Sequence, residues 1–258
     1  MKKLQLFGLL ALITISFSNC KKTADAGPAG ATGAQGAPGP ALMGNIKGFI
    51  TTWDQYGARI LANQAGDTVR IDGTNRWAIT DSTGLYTLPG VITGTYNITV
   101  TKPGFGLNRL QYIQFVGGGD TYRDARISQP STSNVTALAD SSGAVTNNIT
   151  VYGTIPADSH VRSFIVYVGN SASVSPNPTT YLIFNTKNVN ANATKLSFTI
   201  PKSDLNDAGF VTGQTVYYAV FGINSGFNNA SSFEDFTTGR TVFTAISNTP
   251  ATTSMIMP

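Results

Sequence analysis

From Gly44 onward, apolar residues recur at every second position in short runs, and Gly, Asn, Asp and Pro cut those runs apart. A strand sends successive side chains to opposite faces, so this texture predicts half-buried β-strands. No window sustains an apolar period of 3.6 residues over three turns, and only a weak one lies around Ser203–Asp207. The chain is therefore expected to be all-β. Roughly 215 residues suit two β-sandwich domains in tandem, one over 44–129 and one over 130–258. Cys20 is the only cysteine and precedes both, so neither core can draw on a disulfide pair. Apolar burial must hold them, and 41% hydrophobic residues make that feasible.

Residues 1–19 have a different character. Lys2 and Lys3 precede an apolar run from Leu4 to Phe17, which is too short to span a bilayer and reads as a removable export signal. Ser16-Phe17-Ser18-Asn19-Cys20 resembles the relaxed lipobox of Bacteroidetes-type lipoproteins, with Asn19 standing where Gly or Ala is usual. The resemblance implies cleavage before Cys20, acylation of Cys20, and an outer-membrane lipoprotein facing the periplasm or the cell surface. Two or three acyl chains hold a protein stably on a membrane. Lys2 and Lys3 leave with the leader, so the net charge falls from +4 to +2. No Lys/Arg cluster remains beyond Lys21-Lys22, which argues against a nucleic-acid partner.

Residues 20–43 form a tether. Gly27, Gly30, Gly33, Gly36 and Gly39 open five consecutive Gly-X-Y triplets. Glycine at every third residue is what a triple helix requires, because only hydrogen fits at its axis. Five triplets are very short. An extended spacer is the favoured reading, and a trimer through this segment is the alternative.

In the first sandwich, Ile46 with Phe49-Ile50, Val69 with Ile71, Trp77 with Ile79, Tyr86 with Leu88, Tyr96 with Ile98 and Val100, Ile113 with Phe115, and Ala125 with Ile127 mark seven strands. On this alternation Trp77 is expected in the core. Gly48, Asp81/Gly84/Tyr86, Leu88-Pro89, Gly94/Tyr96 and Pro103-Gly104-Phe105 fall in the order of landmarks that the carboxypeptidase regulatory-like domain carries. The stretch resembles that family, which implies a transthyretin-like sandwich that is not itself catalytic. In the second sandwich, strands are expected over 149–155, 163–168, 180–184, 196–200, 216–223 and 241–246. Gly213-Gln214-Thr215-Val216-Tyr217 resembles the penultimate strand of fibronectin type III-like domains, which implies a corner hydrogen bond from Tyr217.

Side-chain supply restricts the chemistry. His160 is the sole histidine and Glu234 the sole glutamate, so no His-rich zinc site or His-Glu-x-x-His helix can be assembled. Asp158, Ser159 and His160 share one loop and no Gly-x-Ser-x-Gly elbow exists, so a turn histidine beside a capping aspartate is expected rather than a triad. Asp204 with Asp207, and Asp120 with Asp124, lack a calcium-loop spacing, and Gly117-Gly118-Gly119-Asp120 reads as a hairpin turn. No catalytic residue, metal site or cofactor is expected. Trp53 and Tyr56 flank a turn, and Phe227 and Phe233 lie in an Asn/Ser-rich loop. These four are the candidate ligand contacts, because loop aromatics offer stacking surface to glycans or partner proteins. The expected function is binding or adhesion by a non-catalytic envelope lipoprotein. A fimbrillin-like pilus subunit is the alternative and a hydrolase the remote one; the collagen-like stretch before the sandwiches is not strand-like, which argues against strand-donating polymerisation.

Overall fold

The computed structural model describes residues 39–142, 148–224 and 232–257; Cys20, the leader, most of the Gly-X-Y segment and Phe227 lie outside them. Residues 1–40 and the segment from Ala41 to Pro258 are separate units, and the second unit holds both sandwiches. The first comprises β1 (Met43–Trp53), β2 (Thr68–Ile71), β3 (Trp77–Ile79), β4 (Leu85–Ile92), β5 (Gly94–Thr101), β6 (Asn108–Phe115), β7 (Asp120–Tyr122) and β8 (Ala125–Ser128). One sheet runs β3–β2–β5–β6. In the other, β4 lines one side of β1 while β7 and β8 line the opposite side in turn. Ile46, Ile50, Tyr86, Leu88 and Ile127 from the second sheet meet Val69, Ile71, Ile98, Val100, Ile113 and Phe115 from the first in one core.

The landmarks of the regulatory-like pattern acquire physical reasons. β7 and β8 both pair in parallel with β1, and the chain shifts between them so that the Arg123 carbonyl leans over Gly48. A Cβ on Gly48 would lie 2.0 Å from that oxygen, so only glycine fits. The buried Tyr86 hydroxyl donates to the same carbonyl at 2.6 Å. Asp81 accepts from the backbone N–H groups of Thr83 and Leu85 and from the Thr83 hydroxyl, which fixes the turn into β4. Lys102, just ahead of the Pro103-Gly104 turn, places its ammonium 2.9 Å from the buried Asp67 carboxylate.

Three details differ from the sequence reading. Eight strands form, not seven, because Asp120–Tyr122 adds β7. The run Gly117–Gly119 does not turn a hairpin; it carries the chain from β6 to the opposite sheet, where β7 pairs with β1. Trp77 and Ile79 are not core residues. They are 59% and 56% exposed, and the residue between them, Ala78, packs on the core. Alternation defines two faces without saying which is inward, and on an edge strand the small residue took the inner one.

The second sandwich sets β13 (Lys195–Pro201), β10 (Asn148–Thr154) and β9 (Ala137–Ser142) in one sheet. The facing sheet runs β12 (Ile183–Val189), β11 (Arg162–Gly169), β14 (Thr215–Ile223), β17 (Ala251–Ile256). Helix α1 (Lys202–Asp207) follows β13 and plugs the core with Leu205. All eight residues of β11 are buried, because the sheet is covered on both sides. Its outer face carries a second aromatic cluster in which Tyr167 and Tyr181 meet with ring centroids 5.0 Å apart, joined by Phe221, Phe184 and Phe243. The hairpin β15 (Ser232–Asp235) and β16 (Arg240–Phe243), inserted between β14 and β17, supplies Phe243 to that layer.

Candidate functional site

The side chains of β1 alternate, so Phe49, Thr51 and Trp53 project from the outer face while Ile46, Ile50 and Thr52 are buried. β8 lies alongside with Ala125 and Ile127 inward, which turns Arg126 outward. The result is an open groove of about 370 Å³ lined by Phe49, Thr51, Trp53, Arg59, Asp124 and Arg126 together with Ala125. The Trp53 indole donates to the Thr51 hydroxyl at 3.2 Å, and the Arg126 guanidinium sits over its ring, 5.8 Å from the centroid. Phe49 is 42% exposed. One oxygen of Asp124 accepts the Phe49 backbone N–H at 2.8 Å. Arg59 reaches the groove from the turn after β1, where its backbone bridges Trp53. Further along the same face, Lys47 and Asp120 pair at 2.6 Å, which with the Asn45 amide draws the Asp120 carboxyl below its ordinary range.

The other described candidates lie between the two sandwiches. Tyr56 stacks on His160 with centroids 4.0 Å apart, and its hydroxyl donates to Asp158 at 3.0 Å. Burial and then the Asp158 carboxylate push the Tyr56 hydroxyl upward, while hydrogen bonds from the His160 backbone and ring hold Asp158 low. Phe233 lies under the Arg109 guanidinium of β6 at 5.3 Å, and the neighbouring Glu234 carbonyl accepts from Gln111 at 2.8 Å. Phe236 meets Tyr112 at 4.5 Å. Tyr217 is half-buried against the outer aromatic cluster, and among the described residues its hydroxyl makes no corner hydrogen bond. A buried tyrosine that does reach a backbone acceptor is Tyr181, which donates to the Thr241 carbonyl at 2.7 Å.

The Asp158-Ser159-His160 loop has the wrong geometry for nucleophilic catalysis. Asp158 Oδ1 lies 2.9 Å and Ser159 Oγ 3.3 Å from the same ring nitrogen, Nδ1. A triad needs its acid and its nucleophile on opposite nitrogens, so that a proton taken from one side is balanced on the other. Among the described residues no three His, Cys, Asp or Glu side chains converge where they could hold a metal ion. A second concavity, over β9, β10 and β13, is lined by small and apolar residues such as Ala137, Ala139 and Leu196, with Tyr152, Thr154, Lys195 and Ser197 as its polar groups.

Residues 46–128 match the family model of the carboxypeptidase regulatory-like domain. No curated protein matches the chain. Among solved structures, similarity extends to a candidate carbohydrate-binding protein from Bacteroides uniformis, at 15% identity over 84% of this chain and 100% of that one with a TM-score of 0.31. A DUF3823 family protein from the same organism matches at 12% identity over 85% of this chain and 100% of that one, TM-score 0.31. A cohesin–X-dockerin complex from Acetivibrio cellulolyticus matches at 22% identity over 33% of this chain, TM-score 0.29, and the match spans 58% of that chain. At these scores no binding property passes from those proteins to this one.

Proposed function

We propose that this chain is a non-catalytic envelope lipoprotein, anchored through Cys20, that binds a glycan or protein ligand. The observation that carries the binding role is the Trp53 groove. It places two aromatic rings, two guanidiniums and a carboxylate on the outer face of a sheet where β8 takes one edge of β1, while β4, the Gly84 carbonyl, Ile60 and the Gln64 side chain take the other. Aromatic rings beside guanidiniums are the side-chain types that binding surfaces favour. The regulatory-like resemblance of residues 46–128 and the misdirected His160 loop favour recognition over turnover. The three-plus-four sheet arrangement of the second sandwich, with β14 next to the closing strand, supports its fibronectin type III-like reading. The full acylated chain in detergent, applied to glycan and envelope-protein arrays, tests the reading. Retained features that stay chemically intact are expected; an array with no feature bound, or with features consumed by the wild type but not by His160→Ala, rejects it.

A further inference from the structure

We infer that the end of the first sandwich where the chain enters is a membrane-seating tip that rests on a phospholipid surface, and this inference rests on the Cys20 anchor proposed above. Four large apolar side chains meet at that end. Leu42 and Met43 open β1, Ile92 closes β4 and Val116 follows β6. They are 56%, 57%, 43% and 71% exposed. Met43 pairs with Ile92 across β1 and β4, and the Thr93 hydroxyl bridges the Leu42 and Val116 carbonyls at 3.1 and 2.9 Å. The core of this sandwich is filled from Ile46 and Val91 inward, so these four side chains lie outside it.

Three properties of the tip select a bilayer. Its backbone donors are satisfied internally: the Thr93 N–H donates to the Leu42 carbonyl, the Gly118 N–H to the Met43 carbonyl and the Asn45 N–H to the Gly119 carbonyl. Such groups leave water without losing their partners, which is the condition an apolar medium imposes. The charge around the tip is compatible with headgroups. Asp120 is paired with Lys47, and Asp72 with Arg109. Arg76, which lies near Met43 at Gly90 and donates to the Pro89 carbonyl, forms no ion pair among the described residues. A cation beside an apolar surface suits the level of lipid phosphates. Connectivity supplies the third property, because the chain from Cys20 joins the sandwich at Leu42. Acyl chains on that same chain raise the local concentration of lipid, so a contact too weak to hold a free protein still sets its orientation. A second copy of the chain is the poorer occupant. Stable interfaces bury about 800 Å² per partner, and four partly exposed side chains at a strand end offer only part of that. From the tip β1 runs about 33 Å to Trp53, and Tyr56 beyond it stacks on His160 of the second sandwich. A seated tip therefore holds the Trp53 groove away from the lipid, where a ligand can reach it.

Cys20 is the only cysteine, so an acylated chain takes a thiol probe solely at a cysteine introduced elsewhere. The full chain, purified as the cell processes it, is prepared as Val116→Cys at the tip and as Leu61→Cys and Val211→Cys away from it. Leu61 and Val211 are 79% and 64% exposed, the first beyond the far end of β1 and the second after α1 of the second sandwich. Each variant carries an NBD fluorophore and is placed on phosphatidylcholine–phosphatidylglycerol vesicles with brominated acyl chains. The probe at position 116 should shift to the blue and be quenched about twofold or more beyond the other two. Leu42→Asp in the same chain should return it to their level while the acyl chains keep the protein on the vesicles. Equal quenching at all three positions, or none at any while the protein stays vesicle-bound, overturns the tip and leaves the anchor standing. A wild-type chain whose Cys20 takes the thiol probe overturns the anchor and the tip together. Self-association in detergent that Leu42→Asp abolishes gives the tip to a second copy and overturns its seating on lipid.

Discussion

At the residue scale, close contacts decide more than hydrophobicity. Gly48 and Tyr86 act on one oxygen, the Arg123 carbonyl, from two directions. Gly48→Ala would push a methyl into that carbonyl and separate β7 and β8 from β1. A loss of about 2–4 kcal/mol in urea denaturation is expected, and a loss below about 1 kcal/mol would show that the carbonyl is not fixed there. Tyr167 presents the opposite case. Its hydroxyl is buried with no hydrogen-bond partner among the described residues, and burial pushes its ionisation far upward. A buried hydroxyl without a partner is a liability. Tyr167→Phe should therefore be within about 0.5 kcal/mol of wild type or more stable; a large loss would mean the hydroxyl bonds something in the folded protein. Trp53 was recognisable in the sequence as an aromatic beside a turn. Its companions were not, since Arg126 on β8 and Asp124 just before it lie more than seventy positions away and only the parallel pairing of β8 with β1 brings them together.

At the element scale, strands with clean alternation and turn residues at both ends were legible. Val69 and Ile71, Ile98 and Val100, and Ala125 and Ile127 all face the first core. β9, with the sequence Ala-Leu-Ala-Asp-Ser-Ser, lacks β-branched residues and exists because β10 pairs along its whole length. β12 begins three residues later than expected and runs to Val189, following its register with β11 rather than its own polar composition. β15 and β17 also escaped the alternation test, and both are held by neighbours. The turn between β3 and β4 makes a pH prediction. Hydrogen bonds from Thr83, foremost its hydroxyl, hold Asp81 below the ordinary carboxylate range. A depressed carboxyl contributes stability above its unfolded pKa, about 3.9, and that contribution fades as pH falls through the lower folded value. Wild type should exceed Asp81→Asn in stability at pH 7, and the gap should close on acidification to about pH 2. A gap independent of pH would contradict the ionised turn.

At the scale of the whole molecule, the two sandwiches are docked through two patches rather than strung on a loose linker. Tyr56 with His160 forms one, and β6 with the β15–β16 hairpin forms the other. Gly106 sits so close to the Thr244–Ala245 backbone that a Cβ would lie 2.7 Å from it, and Thr244 donates to the Leu107 carbonyl. Aromatics read from the sequence as exposed loop residues are partly committed to this junction, because sequence spacing carries no information about which surfaces two domains share. Away from this junction, the Trp53 groove on one sheet and Trp77 with Ile79 on the other are among the surfaces of the first sandwich open to solvent. The most direct test compares wild type, Trp53→Ala and Trp77→Ala versions of the full chain on one glycan and envelope-protein array. Features bound by wild type should vanish with Trp53→Ala and persist with Trp77→Ala. Persistence of the same features in a folded Trp53→Ala protein would contradict the account.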